Sequence, residues 1–204
     1  MKNKLSLFLG ILILFYGLLA IVYSIFSGEA SWIFWMCYIG MILIGIGTIT
    51  KNKTLIQSQL NILTIPLFFW TLDFTITLIS GNSPFGTTAY FFELKPFAKI
   101  ISLEHLFLVP LGITCLFLTN KQQKPQKNKN NTIIFLSIIQ VIIVISLTLL
   151  LTPPSENVNC AFKSCFSFVP SNDFYLLYFF TIALICILII NTILNRLLSN
   201  NSNK

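Results

Sequence analysis

Charged residues are scarce in this chain, and acidic residues are scarcer than basic ones. Only 9% of the 204 residues are charged, whereas 55% are hydrophobic, and the mean hydropathy is +0.84. This composition excludes an ordinary soluble domain, in which about a quarter of the residues are charged. Little length remains outside the apolar runs, so we predict a single transmembrane domain over residues 1–204.

The motifs that mark several enzyme classes are also missing. The sequence contains no Walker motif, no GxGxxG fingerprint, no HExxH and no GxSxG. These absences argue against an ATP-driven pump. No cysteine or histidine spacing typical of zinc is present either, so we predict no metal site and cannot name a cofactor.

What the sequence does contain is a series of long apolar runs. A helix needs roughly 20 apolar residues to cross a hydrocarbon core about 30 Å thick, and barrel strands are about half that length and alternate in polarity. We therefore predict an all-α polytopic transmembrane bundle. Its spans, about six in number, are predicted at residues 5–26, 32–49, 60–80, 101–119, 132–152 and 174–194.

Basic residues lie mainly on one side of these predicted spans. With the N-terminus in the cytoplasm, ten Lys and Arg residues fall inside and three fall outside, which is the bias that sets membrane orientation. We therefore predict a multi-pass protein of the cell membrane with both termini cytoplasmic. The lipid bilayer is its expected partner. Because orientation accounts for the net charge of +7, no nucleic-acid partner is predicted.

Residues 120–131 contain four lysines and no apolar residue. Such a segment has nothing to bury, so we predict a disordered cytoplasmic loop between the fourth and fifth spans. Its lysines either act only as a topology signal or also contact anionic headgroups.

Small residues recur at intervals of seven in the first two spans. Gly10, Gly17 and Ser24 do so in the first, and Gly40 and Gly47 in the second. Because small residues allow membrane helices to approach closely, this spacing predicts a seam between the two.

Three ionisable residues lie inside predicted spans, namely Asp73, Glu104 and His105. A charge in the hydrocarbon costs about 2.5 to 3.5 kcal/mol, so each marks a candidate site. Asp73 lies roughly 10 Å from the outer end of its span, at the depth of His105. We expect His105 to pair with Asp73, and Glu104 to lean toward water and the helix dipole. Such a pair is either a clamp between helices or part of a binding or catalytic site.

Outer loops supply further candidates. Residues 81–100 are rich in aromatics and form either a lid over the polar cluster or part of the aromatic belt. Cys160 and Cys165 lie in a predicted exported loop, where a disulfide is possible. Their CxxxxC spacing does not fit a CxxC oxidoreductase.

Part of the sequence resembles an uncharacterised family of small prokaryotic polytopic membrane-associated proteins. The matching residues are Trp70, Asp73, Gly81, Gly86, Tyr90, Ser102, His105 and Pro110, followed by Asn157, Asn159 and Phe162. The resemblance implies a role for these polar residues and implies no activity, since the family has no established function.

Three functions remain open on the sequence. The outer cluster can bind a lipid headgroup, a small ligand or a protein partner. Candidate binding residues are Trp70, Asp73, Tyr90, His105, Asn157 and Asn159. Alternatively, the chain is an enzyme acting on a lipid, with His105, Asp73 and Glu104 as catalytic candidates, although no nucleophile is evident. The third function is small-ion or solute transport, for which polar residues in the cytoplasmic half, Asn61 and Thr64, are sparse.

Overall fold

The computed structural model describes residues 2–121, 130–166 and 169–202. Within these ranges the chain is a bundle of α-helices, which confirms the predicted all-α class. The helices are α1 (Lys2–Phe26), α2 (Met36–Ile49), α3 (Lys53–Ser80), α4 (Ala89–Glu93), α5 (Pro96–Ser102), α6 (Glu104–Asn120), α7 (Asn130–Leu151) and α8 (Tyr175–Ser202). Short 3-10 helices cover Ala30–Phe34 and Val158–Cys160.

Five helical segments in the described ranges are long and apolar enough to cross a membrane. They are Lys4–Phe26, Lys53–Ser80, Pro96–Asn120, Asn130–Leu151 and Tyr175–Asn200. The predicted second span is shorter than expected, because its first residues belong to a 3-10 helix and α2 has only 14 residues. At 1.5 Å per residue, α2 is about 21 Å long and does not reach across a typical hydrocarbon core.

The bundle has an apolar core, but unlike a soluble protein it also has an apolar surface and buries several uncharged polar side chains. Large apolar side chains such as Phe8, Phe15 and Leu150 are more than half exposed, whereas Gln57 and Asn61 on α3 are fully buried. Lipid tails accept exposed apolar side chains, and polar side chains there must find partners inside the bundle. This pattern supports a membrane-embedded bundle.

Glycines bring α1 and α2 together, as the spacing predicted, but the partners on α2 differ. A Cβ added at Gly17 would lie 2.9 Å from Met41 Cβ, and one added at Gly45 would lie 2.8 Å from the backbone nitrogen of Leu14. The predicted Gly40 and Gly47 face α3 instead, against Leu63 and Ile56 respectively. The α2 side of the seam therefore contains Gly45, which the seven-residue spacing missed.

Helix α3 is central, since it packs against α2, α6, α7 and α8. We call the end of the bundle that holds α4, α5 and both 3-10 helices the outer end, following the predicted orientation. The opposite end, where α3 begins at Lys53, is the inner end. Most of the predicted basic loop, residues 122–129, lies outside the described residues.

Candidate functional site

The carboxylate of Asp73 anchors the outer loop that follows α3. Its oxygens accept hydrogen bonds from the hydroxyls of Ser83 (2.6 Å), Thr87 (2.9 Å) and Thr88 (2.9 Å). The backbone N–H groups of Phe85 and Thr88 also donate to it, each at 2.9 Å. Asp73 is 0% exposed, so the loop replaces the water that would otherwise solvate this charge.

The predicted pairing of Asp73 with His105 is therefore wrong. The loop occupies the Asp73 carboxylate, and His105 Nδ1 lies instead 2.8 Å from the carbonyl oxygen of Ser102 and 2.8 Å from Glu104 Oε2. Equal depth in two helices does not ensure contact, because the loop folds back over the end of α3 and supplies nearer donors.

Glu104 is the buried acid that lacks such donors. It is the first residue of α6 and is 0% exposed, so the expectation that it leans toward water is wrong. Its position in the first turn does match the predicted interaction with the helix dipole. Among the described residues, no hydrogen bond of standard geometry reaches either carboxylate oxygen. His105 Nδ1 lies 2.8 Å from Glu104 Oε2 but without that geometry.

Cys37, at the start of α2, completes this group. The Cys37 Sγ, a carboxylate oxygen of Glu104 and a ring nitrogen of His105 all lie within 4.8 Å of one another. Cys37 and Glu104 are buried, and the His105 side chain is 12% exposed. We call these three residues the Glu104 cluster. Cys37 is not among the candidates that the sequence analysis singled out.

Aromatic side chains cover the Glu104 cluster on its outer side. The Trp70 indole stacks on the His105 ring at a centroid distance of 4.5 Å, and its Nε1–H donates to the Tyr90 hydroxyl at 3.0 Å. Tyr90 as a residue is 40% exposed, but its hydroxyl lies against the buried Trp70. Burial, together with the negative charge of Glu104, raises the pKa of Tyr90 above its ordinary value.

The two predicted binding asparagines hold an outer loop in place. Asn157 Oδ1 accepts from the backbone N–H groups of Phe162 and Lys163, each at 3.0 Å. Asn159 Oδ1 accepts from Met36 N–H at 2.8 Å, and its Nδ2 donates to the Phe34 carbonyl at 2.7 Å. Asn159 therefore caps the first turn of α2, which contains Cys37.

A disulfide lies in the same loop. Cys160 and Cys165 are bonded, with their Cα atoms 5.5 Å apart. The Tyr175 hydroxyl donates to the Cys160 carbonyl at 2.5 Å, which ties the loop to the start of α8.

A second polar group, near the inner end, was missed by the sequence analysis, which considered polar residues there to be sparse. Gln59 and Gln140 exchange hydrogen bonds of 2.7 and 2.8 Å between α3 and α7. Asn191 Oδ1 on α8 accepts from Gln57 (3.2 Å) and Asn61 (3.3 Å). Helices α3, α7 and α8 are thus joined by side-chain amides, which favour association in lipid.

No protein-family model matches the chain, and no curated protein or solved structure is significantly similar to it. The function is therefore argued from the geometry of these side chains.

Proposed function

We propose that this is a membrane protein that binds a cation, or the cationic group of a larger ligand, in the Glu104 cluster. The observation that carries this proposal is the Glu104 carboxylate, which is fully buried and meets no standard hydrogen bond among the described residues. An ionised carboxylate in a low-dielectric interior requires a compensating positive charge. A bound cation would supply it.

The contrast with Asp73 supports this reading. Both acids are fully buried at the outer end, but Asp73 accepts hydrogen bonds from both backbone and hydroxyl donors of the loop. Its charge is already stabilised by the fold. Glu104 lacks such donors among the described residues, although His105 Nδ1 lies 2.8 Å from Oε2 and the Cys37 Sγ lies within 4.8 Å, so Glu104 is the acid with capacity left for a ligand.

The other candidate binding residues have different roles in this proposal. Trp70 stacks on the His105 ring and donates to the Tyr90 hydroxyl, so these two residues hold His105 in the Glu104 cluster. Asp73, Asn157 and Asn159 hold the loops around it. Membership of the family that the sequence resembles is proposed on the resemblance alone.

A second candidate function, a membrane-embedded enzyme acting on lipid, gains one observation. The nucleophile missing from the sequence analysis has a candidate in Cys37, which lies within 4.8 Å of both Glu104 and His105. His105 would act as the base and Glu104 would orient it. Taking the thiol proton would make His105 a cation beside both anions, so the charges in such a triad would balance. We favour cation binding because it follows from the buried Glu104 carboxylate itself, whereas the enzyme also requires a substrate site.

Thermal unfolding of the detergent-purified protein tests the proposal. The probes are ZnCl2, MgCl2, CaCl2 and a short-chain phosphatidylethanolamine, each added separately. We expect at least one to stabilise the wild type, by about 2.7 kcal/mol at 100 times its Kd, and to have no such effect on Glu104→Gln. Glu93→Gln, which changes an exposed acid of the outer loop, is the matched control. If no probe stabilises the wild type, or if Glu104→Gln responds equally, the proposal is wrong.

We also propose that the protein is a multi-pass protein of the cell membrane whose outer end faces away from the cytoplasm. The distribution of basic residues and the Cys160–Cys165 disulfide support this orientation. After mild reduction of intact cells, a membrane-impermeant maleimide should label both cysteines. A variant with both changed to Ser is the control, and labelling that requires permeabilised cells would contradict the orientation.

A further inference from the structure

We propose that Cys37, Glu104 and His105 form a binding site for Zn²⁺. This inference rests on the proposed function and specifies its cation. The three residues come from the first turns of α2 and α6, and their ligand atoms lie within 4.8 Å of one another.

The chemistry of the three side chains selects the metal. Zn²⁺ is bound by thiolate, imidazole and carboxylate, whereas Mg²⁺ and Ca²⁺ prefer oxygen ligands alone. Three protein ligands would leave a fourth position of a zinc tetrahedron for water or another ligand.

Charge neutrality gives a second, independent argument. A Cys37 thiolate and a Glu104 carboxylate together carry two negative charges, and neutral His105 adds none. Zn²⁺ would make the site neutral overall, which suits the low dielectric of a buried position. Binding would release the thiol proton to water as the Zn–S bond forms.

The surroundings hold the ligands in the manner expected of a metal site. The Trp70 indole stacks on the His105 ring and fixes its plane. Asn159 fixes the first turn of α2 through Met36 N–H, next to Cys37. Ligand atoms of tetrahedral zinc are separated by about 3.5 Å, so the side chains need to move inward by roughly an ångström on binding.

Metal content and affinity of the full chain in detergent test the inference. Bound metal is first removed with a chelator, and the protein is then equilibrated with ZnCl2. Mass spectrometry measures the zinc content per chain. Competition with a chromophoric chelator gives the zinc affinity. We expect about one zinc per chain and an affinity reduced at least tenfold in Cys37→Ala, Glu104→Gln and His105→Gln. Cys115→Ala removes another buried thiol, on α6, and should leave zinc binding unchanged.

Cobalt gives a spectroscopic readout of which ligand atoms bind the metal. Co²⁺ in the wild-type site should show the near-ultraviolet absorption of a sulfur–cobalt bond and visible bands of tetrahedral coordination. Cys37→Ala should lose the first, and Cys115→Ala should keep both.

Failure of the zinc inference can be told apart from failure of the proposed function. If the wild type binds no zinc, or if Cys37→Ala binds zinc as tightly as the wild type, the zinc site is wrong. If a hard cation or the amine-bearing lipid then stabilises the wild type but not Glu104→Gln, cation binding survives without zinc. If no probe acts through Glu104, both are wrong.

Discussion

Asp73 and Thr88 are joined by two hydrogen bonds, because Asp73 Oδ2 accepts from both the backbone N–H and the hydroxyl of Thr88, each at 2.9 Å. This double contact attaches the start of α4 to the end of α3. The charge of Asp73, which marks a candidate site in the sequence, thus has a structural role.

Replacing Asp73 with Asn should destabilise the protein. Asn keeps the shape but removes the charge, and its amide group would face donors in the loop, including Ser83 and Thr88. Hydrogen bonds to a charged group contribute about 1.5 to 3 kcal/mol each, so we expect a loss of about 2 kcal/mol or more. Thermal unfolding in detergent and the rate of proteolysis within residues 81–88 measure it.

Asp173→Asn provides the control for that experiment, because Asp173 is an exposed acid next to the start of α8. It should unfold like the wild type. Wild-type stability and wild-type proteolysis in Asp73→Asn would show that the loop does not depend on this carboxylate.

The energetic coupling of His105 should be to Glu104 rather than to Asp73. His105 lies 2.8 Å from Glu104 Oε2, and Asp73 is bound by other groups. In double-mutant cycles of unfolding with Asp73→Asn, Glu104→Gln and His105→Gln, we expect a Glu104–His105 coupling of about 0.5 kcal/mol or more and a smaller Asp73–His105 coupling. The opposite order would restore the pairing predicted from depth.

The amide of Asn159 should affect zinc affinity without touching the metal. Asn159→Gly keeps the left-handed backbone at φ 55° but removes the contacts with Met36 N–H and the Phe34 carbonyl. We expect a loss of about 1 kcal/mol of stability, as for a helix cap, and zinc binding weakened several-fold.

Asn157→Gly is the matched comparison, since Asn157 also has a positive φ, 46°, but holds Phe162 and Lys163 instead of α2. It should leave zinc affinity at the wild-type value. Equal effects of the two variants on zinc affinity would mean that α2 is not positioned through Asn159.

Most of the fold is predictable from the sequence because lipid imposes a simple rule. A helix must be long and apolar to span the hydrocarbon core, and five of the described helical segments meet that criterion. The rule says less about helix ends, so the predicted second span began at Trp32, whereas α2 begins at Met36. Apolar composition alone does not distinguish a 3-10 turn at the membrane interface from the first turn of a helix.

The site was predicted less well, because contacts depend on how loops and helix faces meet. Hydropathy drew attention to Asp73, Glu104 and His105, but the fold-back of the outer loop decides which acid is satisfied. Cys37 lies far from Glu104 in the sequence, so no local spacing indicates their proximity. Cys37 lies two residues after Trp35, and a tryptophan is typical of the membrane interface, which is the one local feature that places Cys37 near the outer end.

The reciprocal amide pair between Gln59 and Gln140 should stabilise the contact between α3 and α7 as a unit. Each side chain donates to the other, at 2.7 and 2.8 Å, so Gln59→Leu or Gln140→Leu alone leaves a polar amide without its partner in an apolar setting. Each single variant should lose about 0.6 to 1.7 kcal/mol. The double variant should lose less than the sum of the two single losses, because two leucines can pack without unsatisfied groups.

Thermal unfolding of the wild type and the three variants in detergent measures this double-mutant cycle. Thr192→Val, on the exposed face of α8, is the control. Strict additivity of the two losses would mean that the two glutamines act separately and that their reciprocal hydrogen bonds do not couple α3 to α7.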